Sequence, residues 1–373
     1  MNEIGVGIIG TGFMGQAHAL AYRAVAGVFP DILRPRLVAV ADLHAEAARK
    51  AAARFGFEKI SPDWQQLVQD PSLSIVSITT PNFSHREMAL AAIAAGKHVH
   101  CEKPIAVSAA DAKIMVEAAE AAGVVTQVGF NYLKNPLIKM AREMIASGEL
   151  GEIFSFRGIH AEDFMADPNI PYSWRLDPNC GAGALADIGS HIISMARFLL
   201  GPIAEVNADL ETVHKLRPAA LGSSETRAVE VNDIARLNVA FKRGCHGSIE
   251  ANWVATGRTM QLGFEIAGSQ GALVFTQERF NELLYYKAGG NRRHTGFQRL
   301  EAGPEHDPYG LFCRAPGHQL GFNDLKTIEV ADFLKAIAGG PAAGPDFREA
   351  WEIQKVIDTA VASSQERAWL VVS

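Results

Sequence analysis

Asp187 and His191 stand four residues apart in GAGALADIGSHIISMARFLLG, where a glycine-rich loop runs into an apolar helix. One helical turn of separation puts both side chains on the same face. Such a pair can ligate a metal, steady a surface helix, or handle a proton in a cleft. No third His, Cys or carboxylate stands in an obvious ligand pattern, so no metal is expected. Polar residues flanked by Gly183, Gly189 and an apolar helix also fit a solvated face poorly. Proton handling is the remaining reading, and an imidazole that titrates near neutral pH makes His191 a candidate general base. Lys103, in Cys101-Glu102-Lys103-Pro104, is the second candidate. Pro104 restricts the preceding residue to an extended backbone, and an ammonium held there can polarise a substrate oxygen or relay its proton.

Proton chemistry of this kind needs a partner, and the N-terminus supplies its signature. Gly10-Thr11-Gly12-Phe13-Met14-Gly15 fits G-x-G-x-x-G between an apolar run and an Ala-rich helical segment. The glycines allow a tight turn, close approach of a pyrophosphate and close helix–strand packing. Asp42 ends the next apolar run, where a carboxylate can accept hydrogen bonds from ribose hydroxyls. It would repel a 2′-phosphate, and Leu43 and His44 offer no obligatory cation, so NAD is expected over NADP. Thr79-Thr80-Pro81-Asn82-Phe83-Ser84-His85 ends a further strand and is expected near the dinucleotide, with Asn82 or Ser84 capping the helix that follows.

These residues require a parallel sheet to position them. Apolar runs at Ile4–Ile9, Leu37–Ala41, Ile75–Thr79, His98–Cys101 and Val124–Phe130 alternate with helical patterns at Ala45–Phe55, Arg86–Ala95 and Ala109–Ala122. The alternation predicts a doubly wound parallel sheet. Beyond residue 130 come a helix near Pro136–Ser147, a strand at Ile153–His160 and a proline-containing loop that leads to Asp187. Successive strands then follow, including Val231–Phe241, His246–Trp253, Thr259–Ile266 and Ala272–Thr276. That predicts an α/β chain with a Rossmann domain over 1–130 and an α+β domain over 131–344, its open sheet mostly antiparallel. Helices are expected near Leu325–Ala338 and Phe347–Ser364, and the last, over 345–365, is expected to pack back on the first domain. A length of 373 residues suits two domains. Net charge of -6 argues against a nucleic-acid surface. No apolar stretch long enough for a transmembrane helix occurs, and MNEIGVGIIG lacks the pattern of a signal peptide. Four scattered cysteines without C-x-x-C fit reduced thiols in a cytoplasmic protein.

GTGFMG after a strand, then TPNFSH, CEKP and DIGSH on a second-domain helix, together resemble the glucose-fructose oxidoreductase, inositol dehydrogenase and rhizopine-catabolism family of NAD(P)-dependent oxidoreductases. The resemblance covers essentially the whole chain. It implies oxidation of a ring hydroxyl of a cyclic sugar, a levoglucosan-like anhydrosugar or an inositol. It also implies a catalytic group of Lys103, Asp187 and His191, in which either Lys103 or His191 takes the proton. The cofactor contacts it implies involve Gly10, Gly12, Phe13, Met14, Gly15, Asp42, Thr79, Thr80, Pro81, Asn82, His85, Glu102, Lys103 and Asn131. In the proline-containing loop, Trp174 offers an aromatic face to a sugar and Arg175 a cation near the cofactor, and both are expected among the cofactor contacts. Tyr132 and His318 join the substrate side. A homodimer or homotetramer through the second domain's sheet is implied as well. One departure is Lys134, where many members carry Arg, because Lys lacks the planar two-pronged donor of Arg. A non-catalytic NAD-sensing regulator on the same fold, and a redox-neutral hydrolase or epimerase, are the alternatives from other classes.

Overall fold

The computed structural model describes residues 3–181, 183–291, 293–342 and 344–373. They form two compact units, Met1–Lys134 with Leu320–Glu352, and Asn135–Gln319 with Ile353–Ser373. Helix Phe322–Ile337 therefore belongs to the first unit, whereas the sequence reading gave it to the 131–344 segment.

The first unit is built on six parallel strands, β1 (Glu3–Ile9), β2 (Arg34–Ala41), β3 (Lys59–Ile60), β4 (Ile75–Ile78), β5 (His98–Cys101) and β6 (Thr126–Val128). Their spatial order is β3-β2-β1-β4-β5-β6. In such a sheet the order reverses between β1 and β4, and ligands bind outside the carboxyl ends of the strands at that reversal. Strands covered on both faces need continuous apolar runs, and every residue of β1 after Glu3 is buried. Helices α1 (Phe13–Val28), α2 (Ala45–Phe55), α3 (Trp64–Gln69), α4 (His85–Ala94) and α5 (Ala109–Ala122) supply the crossovers. The two-residue, exposed strand β3 is too short to register as an apolar run.

The second unit holds a nine-stranded mixed sheet. Its strands are β7 (Ile153–Ala161), β8 (Ile203–Glu211), β11 (Ile234–Phe241), β12 (His246–Asn252), β13 (Gln261–Gly268), β14 (Gly271–Thr276), β15 (Glu282–Lys287), β16 (Gln298–Glu301) and β17 (Leu370–Val371). A separate two-stranded ribbon pairs β9 (Leu216–Pro218) with β10 (Thr226–Ala228). The nine strands lie in the order β16-β15-β14-β13-β7-β12-β11-β8-β17, and the β7–β12 pair alone is parallel. Burial along β11 alternates with period two, so one face is apolar and covered while the other presents residues such as Arg236 and Asn238. The covered face carries α7 (Ser190–Leu200), against which α6 (Pro136–Ala146) packs, and short α8 (Tyr309–Phe312) follows β16.

The helix α9 (Phe322–Ile337) packs along α1. Its apolar residues Leu325, Ile328, Val330, Ala331, Phe333 and Leu334 are all buried, which explains why it sides with the first unit. The chain then returns to the sheet edge: Val128 N–H donates to Pro345 O at 2.9 Å and Phe347 N–H to Thr126 Oγ1 at 3.2 Å, covering the β6 edge with backbone. The last helix, α10 (Phe347–Glu366), is divided between the units. Its first turn pairs Arg348 with Glu120, while later Ser363 and Ser364 accept hydrogen bonds from the Ala208 and Leu210 N–H groups of β8. No described helix is long and apolar enough to cross a membrane.

Candidate functional site

In the first unit the glycine loop joins β1 to α1. Gly10 has φ 94°, a left-handed backbone that favours glycine. A Cβ on Gly15 would lie 2.1 Å from Gly10 O, so α1 can only start this close to the strand if that position is bare. A Cβ on Gly12 would meet nothing within 4 Å, which leaves open ground in front of the helix. No side chain among the described residues caps α1, and its first turn carries no acid. The first N–H groups and the positive end of the helix dipole are thus available to an anion.

Thr79, at the end of β4, closes the loop from behind by donating its hydroxyl toward Ile9 O and Gly10 O at 3.0 and 2.9 Å. Asp42 secures it from the side: Oδ2 accepts from the Thr11 N–H (2.8 Å) and hydroxyl (2.6 Å), and Oδ1 from the His44 N–H (2.9 Å). Partial burial opposes the charge, but the bonds from Thr11 and His44 outweigh it and hold the carboxyl below its ordinary range. A carboxylate has about four lone-pair positions, so these three bonds leave room for a ribose hydroxyl. Asp42 is therefore a loop tie as well as a ribose acceptor, a duty its sequence position did not disclose.

The Thr80–His85 turn departs from expectation in one respect. Neither Asn82 nor Ser84 caps α4. The Ser84 hydroxyl instead turns back to Pro81 O at 2.7 Å and lies 2.7 Å from Thr80 Oγ1. That leaves the buried Asn82 Oδ1 with no partner among the described residues, and the buried Asn131 Nδ2 is in the same condition. An orphaned acceptor and an orphaned donor beyond β4 and β6 are the polar atoms a bound dinucleotide would satisfy. With the bare helix start and Asp42, they fit the group the sequence implies. His85 is buried with Nδ1 3.0 Å from Pro104 O and Nε2 2.8 Å from Thr80 O. It ties the Thr80 turn to the turn after β5, and burial pushes its pKa down. Glu102 points its carboxylate inward, while Lys103 follows it at the end of β5 and joins Pro104 through a cis peptide bond.

Two residues clarify each other at the end of β6. Lys134 places its ammonium 2.8 Å from Asp332 Oδ2 and 2.6 Å from Gly344 O. A point charge suffices for that structural tie, so the family's Arg is dispensable here. Tyr132 stands 6.2 Å, centroid to centroid, from Phe322, which stands 5.5 Å from Phe13. Phe13 is 72% exposed. Sequence reading did not single out Phe322, because the aromatic row forms only once α9 packs on α1.

In the second unit Asp187 lies in a π-helical turn, Leu185–Gly189, that leads into α7, with His191 as the second residue of the α-helix. Such turns widen the helix locally and are frequent at functional sites. Asn232 holds this one: its Oδ1 accepts from the Leu185 N–H at 3.0 Å and its carbonyl from the Ala184 N–H at 2.9 Å. His160, on β7, brings Nδ1 within 2.8 Å of Ile188 O and Nε2 within 2.8 Å of Glu162 Oε1. Its ring lies 5.6 Å from that of His191. Arg175 donates from Nε to Asp187 Oδ2 at 3.0 Å, and its guanidinium sits 4.5 Å from the Trp174 ring. Trp174, Arg175, Asp187 and His191 therefore assemble in one unit, with Arg175 as Asp187's counter-charge. His318 lies exposed in the segment between α8 and α9.

A 3-2-1-4-5-6 parallel sheet with a bare helix start and an acid after its second strand defines a dinucleotide-binding domain. The chain belongs to the GFO/IDH/MocA oxidoreductase family: residues 4–130 match its oxidoreductase family, NAD-binding Rossmann fold, and residues 138–274 its C-terminal domain. It is 39% identical to levoglucosan dehydrogenase of Pseudarthrobacter phenanthrenivorans, across 100% of this chain and 99% of that one. A solved levoglucosan dehydrogenase in complex with NADH and levoglucosan superimposes with a TM-score of 0.95 at 40% identity, over 100% of both chains. An NAD-binding oxidoreductase from Klebsiella pneumoniae superimposes with a TM-score of 0.94 at 43% identity, over 100% of this chain and 99% of that one.

Proposed function

We propose that this protein is an NAD-dependent dehydrogenase that oxidises a secondary ring hydroxyl of a cyclic sugar, anhydrosugar or inositol to a ketone, with levoglucosan as the first substrate to try. The observation that carries the reading is kinship along the full chain with an enzyme solved with NADH and levoglucosan. Bound NAD would supply the hydride acceptor for the carbinol carbon. The chain's own residues handle the rest. Gly10, Gly12, Gly15 and the first turn of α1 hold the pyrophosphate, Asp42 the ribose, and Asn82 and Asn131 use their orphaned polar atoms on the ligand. His191 takes the hydroxyl proton, Lys103 stabilises the developing alkoxide, and Asp187, anchored by Arg175, orients the alcohol. Tyr132, Trp174 and His318 complete the substrate side.

The second unit's sheet, with its solvent-facing strand residues, is the proposed oligomer contact, giving a homodimer or homotetramer. A cytoplasmic location is supported by four unpaired cysteines. The test of the function is NADH formation across levoglucosan, glucose, xylose and inositol isomers, with Lys103→Ala as the control. Turnover with one of these and its collapse in the variant support the reading; no turnover with any cyclic polyol refutes it.

A further inference from the structure

Beneath Lys103 the first unit buries a cluster of charged and polar side chains that the proposed chemistry does not use. Lys326 of α9 is 0% exposed. Its ammonium donates to Glu102 Oε1 at 2.9 Å and, one turn along the same helix, to Glu329 Oε1 at 2.7 Å. His18 of α1 has Nε2 2.9 Å from the same Glu102 oxygen and Nδ1 2.6 Å from Ser77 Oγ. His100 of β5 has Nε2 2.9 Å from Glu329 Oε1, and Tyr22 Oη lies 3.2 Å from its Nδ1. The two imidazoles lie 4.3 Å apart, centroid to centroid.

Ligand-type atoms of His18, His100 and Glu329 gather within 4.8 Å of one another. The place a cation would take between the carboxylates is already held by the Lys326 ammonium, so the group forms an ion cluster rather than a metal site. Its proton positions follow from its contacts. Burial, then the charges of His100 and Lys326, push the His18 pKa down to about 3, so the ring is neutral with a single N–H. That hydrogen is on Nε2, toward the Glu102 carboxylate, and Nδ1 accepts from the Ser77 hydroxyl. Burial disfavours the charge on Glu102, but Lys326 and His18 outweigh it and hold the carboxyl well below its ordinary range.

The carboxylate so fixed has a further contact. Its Oε2 accepts the backbone N–H of Lys103 at 3.2 Å. Its other oxygen sits where a Cβ on Gly129 would come within 2.4 Å, so the bare Gly129 leaves the space that Glu102 fills. We propose that Lys326, acting through Glu102, is a positioning residue for Lys103: it locks the carboxylate that receives the Lys103 N–H, and with it the turn that carries the Lys103 side chain. A helix 224 residues away in sequence from Glu102 thereby sets the aim of the E-K-P turn. The inference rests on the proposed role of Lys103.

The test is a mutant cycle on kcat with levoglucosan, pairing Lys326→Met with Lys103→Ala. Groups that act as a unit lose catalysis non-additively. Expected is a loss of about tenfold or more from Lys326→Met in the parent but under about twofold in the Lys103→Ala background, with the NADH Kd unchanged. Equal losses in both backgrounds, or no loss in the parent, overturn the proposal. If Lys326→Met does not fold, Glu102→Gln replaces it in the same cycle with the same two outcomes. Should the parent turn over no cyclic polyol, the functional reading fails, and positioning is then read from acetic anhydride labelling of Lys103 against exposed Lys50 and Lys113. Lys326→Met unlocks the turn that carries Lys103, so the amine is less shielded and its relative labelling rises about threefold or more if the proposal holds. An unchanged ratio overturns it.

Discussion

At the scale of single residues, Asp42 shows how one carboxylate serves both architecture and recognition. It fastens Thr11 of the glycine loop through two hydrogen bonds and keeps acceptor capacity for a ribose. Hydrogen bonds to an ionised group contribute about 1.5–3 kcal/mol each. Asp42→Ala is therefore expected to weaken NADH binding by on the order of ten- to a hundredfold. It should also narrow the preference over NADPH, since the group that repels a 2′-phosphate is gone. Titration of both nucleotides checks this, and an unaltered NADH/NADPH ratio would refute the ribose role. The types and spacing of Gly10–Gly15, Asp42, Lys103, Asp187 and His191 were legible in the sequence because each sits at a strand end or helix start that local pattern reveals. Phe322, Asn232 and Lys326 were not, because each acquires its partners only through packing between segments distant in sequence.

At the scale of elements, the π-helical turn at Leu185–Gly189 is held by a side chain from another part of the chain. Asn232→Ala leaves the buried Leu185 N–H without its acceptor, which costs about 1–3 kcal/mol. Denaturant unfolding should show that loss, and kcat should fall further than KM rises, since the turn carries Asp187. The sequence suggested an ordinary helical turn between Asp187 and His191; no local pattern marks the wider turn, which tertiary ties at Ala184, Leu185 and Ile188 stabilise. The alternation of strands and helices was readable where apolar runs were long. It failed at β3 and at the β9–β10 ribbon, which are too short and too exposed to leave a pattern.

At the scale of the whole molecule, the buried cluster links folding to pH. A neutral His18, whose pKa falls from 6.5 to about 3 on folding, makes the unfolded chain bind the extra proton. Its stabilising contribution is complete above pH 6.5 and is lost as pH falls from there toward 3. Glu102 and Glu329, both below their ordinary 4.5, add to the loss under more acid conditions. Stability should therefore decline by up to about 1.4 kcal/mol per pH unit per proton on the acid side. Urea unfolding at successive pH values tests this, with His18→Gln expected to flatten the slope between pH 6.5 and 4.5 if it folds. The allegiance of α9 was the main feature hidden from the sequence. Its apolar residues declared a buried helix, but the partners that bury it, α1 along its length and His100 of β5 at Glu329, are distant in sequence.

The proposed role of Lys103 in the catalytic group of an NAD-dependent polyol dehydrogenase underlies the mechanism. Its most direct test is the initial rate of NADH formation from levoglucosan by the parent and by Lys103→Ala, with NADH binding measured on both. Expected is turnover by the parent and a kcat lower by about a hundredfold or more in the variant, while NADH still binds. Equal turnover by the two proteins would contradict that role.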